Sequence, residues 1–200
     1  MADVHSTFRD AWRFVHDYLT QVDSLLEDAS THMLRAEHPW VRLRQNGNRH
    51  LSDLDPLCGA PDQWLPDHLV SFFAPQASLP TGKSYGVPIE RVSRIAFVWA
   101  WLGPVDADDT ADLITGWFSG LENLSGNAET HLRSLYDALP TAYESETSGI
   151  GESAWSRVPL DNAVVSDIHL CPCPLRAIQG PDDLQQLMAR FYAALTDSDR

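Results

Sequence analysis

Residues 91–102 read RVSRIAFVWAWL, and this stretch decides the fold class. Its first residues alternate, with Arg91 and Arg94 predicted to face outward, and the remainder is apolar at every position. A run that is apolar on both sides is typical of a central strand that is covered on both faces of a sheet. We therefore expect a sheet with this strand in its interior.

The segments on either side of this strand are compatible with further strands. Residues 105–110 (VDADDT) read as an acidic turn. Residues 111–124 fit either a helix or a second strand antiparallel to the first, with the strand favoured through Phe118. Residues 68–74 are a short apolar element that fits either a strand or a pair of helical turns.

The N-terminal region predicts a long amphipathic helix. Apolar residues recur every three or four positions from Phe8 to Met33, which is the spacing of one helix face. Thr7 can cap the helix with Asp10 three residues later, and Pro39 makes 37–38 its natural end. We expect such a helix to lie across a sheet or to pair with another subunit.

The C-terminal half alternates helix and strand signals. Asn127 is placed to cap a helix that Pro140 would stop. Residues 155–160 and 163–171 read as two strands, and Pro181 opens a C-terminal helix with acidic residues in its first turn. The intervening segments 45–66, 75–88 and 144–153 are rich in turn-forming residues, and 144–153 is predicted to be a mobile loop.

Together these elements predict one α+β domain spanning residues 1–200. We expect a mixed or mostly antiparallel sheet, with the long N-terminal helix and the C-terminal helix packed mainly on one face. The chain is long enough for one core, and its 44% hydrophobic and 21% charged residues are near the globular average.

The charge balance is unusual. The net charge is −14, with 20 Asp and 8 Glu against 13 Arg and a single lysine, Lys83. Such a chain repels phosphate backbones and anionic membranes, so direct nucleic-acid binding and membrane docking are disfavoured. The acidity fits solubility in a salty cytoplasm, the codon bias of a high-GC genome, a basic protein partner, or mimicry of a nucleic acid.

The sequence favours a cytoplasmic location. The N-terminus lacks a basic region followed by a long apolar core, so it does not resemble a secretory signal. The longest apolar run, 95–103, is about half of the roughly 20 residues that a membrane helix needs. Three cysteines are an odd and low number that fits a reducing compartment.

One cluster has the donor types of a zinc site. His169, Cys171 and Cys173 alternate along a predicted strand and would share one face, and Cys58 could supply a fourth ligand. The alternative is that the cysteines are small buried apolar residues at the end of a core strand. The expectation is that no cofactor is bound, with zinc as the alternative.

Two groups of residues are candidates for catalysis. The first contains Asp106, Asp108, Asp109 and Asp112, carboxylates near a strand end that could hold Mg²⁺. The second is His50 with Asp53, a possible acid–base pair. No nucleophile elbow, Walker loop or dinucleotide-binding glycine pattern is present. Solvated turn acids and structural histidines are the competing interpretations.

A third group of residues is placed to bind a protein partner. This group contains tryptophans that lie in predicted loops and arginines that are close together in the sequence. They are Trp40, Trp64, Trp155, Arg42, Arg44 and Arg49. Edge packing of the tryptophans and pairing of the arginines with helix acids are the alternatives. The sequence thus predicts a non-enzymatic acidic interaction protein, with a small metal-dependent hydrolase or nuclease and a zinc-stapled structural domain as alternatives.

Overall fold

The computed structural model describes residues 4–35, 39–44, 51–52, 68–83, 85–102, 111–121, 124–146, 154–160 and 165–197. The α-helices are α1 (Val4–Met33), α2 (Leu132–Glu146) and α3 (Pro181–Asp197). The strands are β1 (Trp40–Leu43), β2 (Leu51–Ser52), β3 (His68–Pro75), β4 (Arg94–Trp101), β5 (Asp112–Ser119), β6 (Ser156–Pro159) and β7 (Asp167–Pro174).

The strands form one antiparallel sheet in the order β1-β3-β4-β5-β7-β6, with β2 also pairing with β3. The predicted central strand is confirmed, because all eight residues of β4 are buried between β3 and β5. The two ambiguous segments on either side of it are both strands. The acidic segment between β4 and β5 joins two neighbouring antiparallel strands, as a hairpin connection does.

The helices cover both faces of the sheet and define two cores. On the α2 face, Ile95, Phe97 and Trp99 of β4 pack in the cluster that contains the buried residues of α2. On the opposite α1/α3 face, Ala96 and Val98 pack with the buried residues of α1 and α3. The prediction that the N-terminal and C-terminal helices share one face is therefore correct. Small residues in β4 on this side allow the two helices to approach the sheet closely.

Position 116 in the middle of β5 has room only for glycine, because neighbouring atoms lie too close for a side chain. A Cβ atom at this position would lie 2.2 Å from the carbonyl oxygen of His169 and 2.4 Å from the Phe97 ring. Any side chain here would force apart strands that pair directly, so glycine lets Phe97 fill the space above β5.

The predicted outward orientation of Arg94 is wrong. Its side chain is buried on the α1/α3 face and donates a hydrogen bond to the carbonyl oxygen of Leu195, in the last turn of α3. The carbonyl end of a helix carries partial negative charge, which is why a cation is tolerated there. Burial lowers the pKa of Arg94 from its ordinary value.

The prediction that Pro140 ends the second helix is also wrong. α2 contains Pro140 and continues to Glu146, after a 3-10 turn over Ala128–His131. Ala142 and Tyr143, which follow the proline, are buried in the core on the α2 face. The free energy gained by burying these two side chains offsets the free energy lost because proline cannot donate a backbone hydrogen bond.

Several predicted boundaries shift. α1 begins at Val4 rather than at a cap at Thr7, and it ends at Met33. Residues 144–146 of the predicted mobile loop belong to α2, and 147–153 lie outside the described residues. Most of the predicted loop 45–66 lies outside them too, apart from β2. Within the described chain, no helix is long and apolar enough to cross a membrane.

Candidate functional site

The residues predicted to bind a partner lie in different environments. Trp40 is partly buried and packs against the core of the α1/α3 face, whereas Trp155 is 37% exposed. The Trp155 ring lies 4.9 Å from that of Trp117 and 6.0 Å from that of Phe191. Trp155 therefore joins an aromatic cluster and keeps part of its surface open. Trp64 and Arg49 lie outside the described residues.

The two described arginines of this group also differ in their exposure to solvent. Arg44 is exposed, but the Arg42 side chain is only 4% exposed and donates from Nη1 to Oε2 of Glu27 on α1 at 2.8 Å. Its guanidinium also lies over the Phe73 ring at 6.0 Å. Within the described structure, Nε and Nη2 of Arg42 are buried without a hydrogen-bond acceptor. Arg42 thus ties β1 to α1, and its charge is not offered to a partner at the surface.

The predicted zinc ligands share one face, as the alternation required. His169, Cys171 and Cys173 occupy alternate positions of β7, and both cysteines are buried free thiols. Burial is the main cause that raises the pKa of Cys171, so this thiol stays protonated. Cys58 lies outside the described residues, and in the described part of the chain no three His, Cys, Asp or Glu side chains are grouped to hold a metal ion.

The His169 ring stacks on the Trp117 ring at 4.6 Å with an interplanar angle of 8°. Desolvation is the largest cause that lowers its pKa, and the positive charges of Arg157 and Arg94 act in the same direction. The negative charge of Asp167 acts in the opposite direction and raises the pKa of His169. This carboxylate accepts a hydrogen bond from Arg157 Nε at 2.9 Å. A neutral stacked imidazole is typical of a packing role on this face.

The proposed catalytic residues Asp106, Asp108, Asp109, His50 and Asp53 lie outside the described residues. The connection with the three aspartates joins β4 to β5, and Trp101 of β4 is paired with Asp112 of β5. Asp53 belongs to the connection between β2 and His68 of β3, which pairs with Trp101, whereas His50 precedes β2. His68, Trp101 and Asp112 therefore form a row across three strands on the α2 face, and we call it the end row.

The end row is packed against two tyrosines of α2. The Tyr136 ring stacks on His68 at 4.5 Å, and the Tyr143 ring lies 5.7 Å from that of Trp101. The Tyr143 hydroxyl donates a hydrogen bond to Oδ2 of Asp112. Burial, followed by this hydrogen bond and the carboxylate charge, raises the pKa of Tyr143 well above its usual range.

The chemistry of the end row follows from this packing. A phenol with a raised pKa keeps its proton, so Tyr143 can donate a hydrogen bond but is a poor base. His68, Trp101, Tyr136 and Tyr143 are each at most 9% exposed. The described part of the row is thus a closed support for α2. The sequence indicated Asp112 as a candidate residue. It did not indicate His68 or Tyr143, which lie in other segments of the chain.

A different surface is open and charged. On the outer side of α1 and α3 the structure describes seven exposed acidic side chains against two exposed arginines, Arg13 and Arg190. The acidic residues are Asp10, Asp17, Asp23, Asp28, Asp182, Asp183 and Asp197. We call this surface the acidic layer. Because α1 and α3 lie on the same face, acids from the two ends of the chain are brought to one side of the molecule.

The acidic layer also contains an exposed aromatic residue and a groove. Phe14 of α1 is 73% exposed, and its ring stacks on that of Tyr18 at 6.4 Å. A groove of about 450 Å³ lies between α1 and the start of α3, and both charged and apolar residues line it, among them Leu25, Asp28, Arg35 and Pro181. Phe14 lies off the apolar stripe of α1, among polar residues, and this was the one sequence signal that could have indicated an exposed aromatic.

Comparison with protein-family models, with curated proteins and with solved structures found no match to this chain.

Proposed function

We propose that the chain is a non-enzymatic interaction protein that binds a basic protein partner through the acidic layer. In this role it is a cytoplasmic accessory, immunity-type or assembly subunit. The observation that carries the proposal is the meeting of two acid-rich helices on one face. Opposite potentials across an interface steer encounter and align the partners.

The described charges favour the α1/α3 face of the molecule over the α2 face as the binding surface. On α2, the exposed Arg133 pairs with Asp137 at 3.0 Å between Nε and Oδ1, so charge there is partly neutralised in place. The acidic layer has three or more acids for each arginine among its described side chains. Among the described residues, this layer is therefore expected to attract a basic partner more strongly than α2 does.

The proposed location is supported by the cysteines. Cys171 and Cys173 are buried free thiols, which fits a reducing compartment. The candidate catalytic residues of the hydrolase lie mostly outside the described residues. Three of the four zinc candidates are described, but Cys171 and Cys173 are buried free thiols and no described group of three potential ligands could hold a metal ion, so no observation there favours a zinc-stapled domain.

The test begins with crosslinking and mass spectrometry of the chain in its native cell, followed by purification of the protein found. Association kinetics are then measured at 20 and 150 mM NaCl with two variants of equal charge. One is Asp10→Asn/Asp17→Asn/Asp28→Asn in the acidic layer, and the other is Glu90→Gln/Asp137→Asn/Glu144→Gln elsewhere. Both variants lose three exposed acids.

We expect the partner to be basic and its association rate to fall about tenfold with salt, as steered association does. The acidic-layer variant should associate about tenfold more slowly than the wild type, and the control variant within twofold. An acidic partner, equal effects of the two variants, or a chain that stays monomeric and alone at every salt concentration would refute the proposal.

A further inference from the structure

Phe14 is the exposed aromatic residue of the acidic layer, and the partly buried Tyr18 lies beside it. Their rings stack at 6.4 Å with an interplanar angle of 8°, and Phe14 is 73% exposed. One turn further along α1, Val22 is 4% exposed and Leu26 is fully buried against the sheet. The aromatic pair therefore lies at the edge of the core on the α1/α3 face, with Tyr18 packed against that core and Phe14 in contact with solvent.

Carboxylates border this pair. Residues three and four positions apart are neighbours on a helix surface, so Asp10 and Asp17 lie one turn before and one turn after Phe14. Both aspartates are exposed. Asp17 contacts His16 Nδ1 at 3.4 Å, an exposed contact that neutralises little of the carboxylate charge. The exposed Arg13 lies four positions before Asp17, so two carboxylates and one guanidinium border the patch and its net charge is negative.

We propose that Phe14 and Tyr18 are the apolar anchor of the partner site, and that their occupant is a basic amphipathic segment, in which an apolar side chain is flanked by Lys or Arg. This inference rests on the proposed function and names the part of the acidic layer that makes the central contact. Aromatic side chains that lose water on binding are typical anchors of an interface, and charged residues form its rim.

Charge decides between this occupant and others. A second copy of the chain would bring Asp10 and Asp17 close to the same residues of its partner, between two molecules of net charge −14 each. An anionic membrane is repelled for the same reason. A basic segment instead gains contacts to the aromatic rings and to both carboxylates.

The test uses a fluorescein-labelled 18-residue helical peptide with leucines on one stripe and Lys and Arg on both sides of it. Binding to the full chain is followed by fluorescence anisotropy in 20 mM NaCl. Phe14→Ala is expected to weaken binding at least tenfold. The control Tyr85→Ala, which removes an aromatic ring that is 77% exposed outside this surface, should stay within twofold. Circular dichroism verifies that both variants keep the helical content of the wild type.

Two further peptides test the two parts of the occupant. Replacing the leucines by serine, or the basic residues by glutamate, should abolish binding. The proposal is overturned if the wild type does not bind the basic peptide, if Phe14→Ala binds it as tightly as the wild type, or if the glutamate peptide binds equally well. It is also overturned if ultracentrifugation shows a dimer that Phe14→Ala disrupts, because the occupant is then a second copy.

The same titration separates the two levels of the proposal. If the triple asparagine variant of the acidic layer loses the peptide and Phe14→Ala keeps it, the anchor is wrong and the acidic binding surface stands. If neither variant changes the affinity, both proposals fail.

Discussion

At the scale of single residues, the contact between Tyr143 and Asp112 joins α2 to the end of the sheet. The tyrosine follows the internal proline of α2 and the aspartate opens β5, so one hydrogen bond links two parts of the chain that are distant in sequence. Because Tyr143 is 7% exposed among tryptophan rings, its hydroxyl has little access to water as an alternative partner. Such a hydrogen bond contributes to stability mainly because a buried donor or acceptor that loses its partner raises the free energy of the folded state.

Tyr143→Phe is expected to lower the free energy of unfolding at pH 7 by about 1–3 kcal/mol, the usual cost of removing a buried hydrogen bond to a charged group. The effect should depend on pH. The pKa of Tyr143 is raised in the folded state, so its contribution is complete below the unfolded value of about 10 and is lost as the pH rises above it. Urea unfolding between pH 7 and pH 11 measures both effects.

The variant should therefore lose less stability than the wild type between pH 10 and pH 11. Some loss will persist, since burial also raises the pKa of Tyr18 and Tyr192. Tyr85→Phe, which alters an exposed hydroxyl, serves as the control and should follow the wild type. Equal alkaline slopes in the wild type and Tyr143→Phe would show that the buried phenol does not contribute.

At the scale of elements, α2 shows how packing overrides a local signal. A proline inside a helix removes one hydrogen bond and crowds the preceding turn, so the sequence alone predicts a helix end at Pro140. The helix continues because Ala142 and Tyr143 fill the core on the α2 face. The burial of these two residues depends on strands that lie elsewhere in the chain.

Replacing Pro140 by alanine should stabilise the domain by about 1–3 kcal/mol, since residue 140 regains a backbone N–H that can bond to the carbonyl of Tyr136. Pro181→Ala is the matched control, because Pro181 is the first residue of α3, where the N–H has no helical acceptor. Chemical denaturation of both variants measures the difference. A loss of stability in Pro140→Ala would mean that α2 needs the bend that proline imposes.

At the scale of the whole molecule, repulsion among the acids opposes folding. A net charge of −14 destabilises a compact state, and salt screens this repulsion over a Debye length of roughly 10 Å at 0.1 M. We expect Tm to rise with NaCl, mostly below 0.2 M, and to rise less in the triple asparagine variant of the acidic layer. Thermal scans from 10 mM to 2 M NaCl test this. A flat Tm would contradict it, and a rise that continues into the molar range would indicate adaptation to high salt.

Local patterns in the sequence are enough to predict the α+β class, a central strand within 91–102 and the helices at both ends. These features follow from local periodicity and from apolar runs, which a linear reading detects. It also identified the net acidity and disfavoured partners that are themselves anionic. The face shared by His169, Cys171 and Cys173 was likewise predictable from alternation along one strand.

The contacts between distant residues are set by long-range packing in the fold. The end row joins three strands and α2, the acidic layer joins the first and last helices, and Arg42 and Arg94 are buried by neighbours from other segments. Each outcome depends on long-range packing, whose energy is not encoded in the local pattern around any one residue.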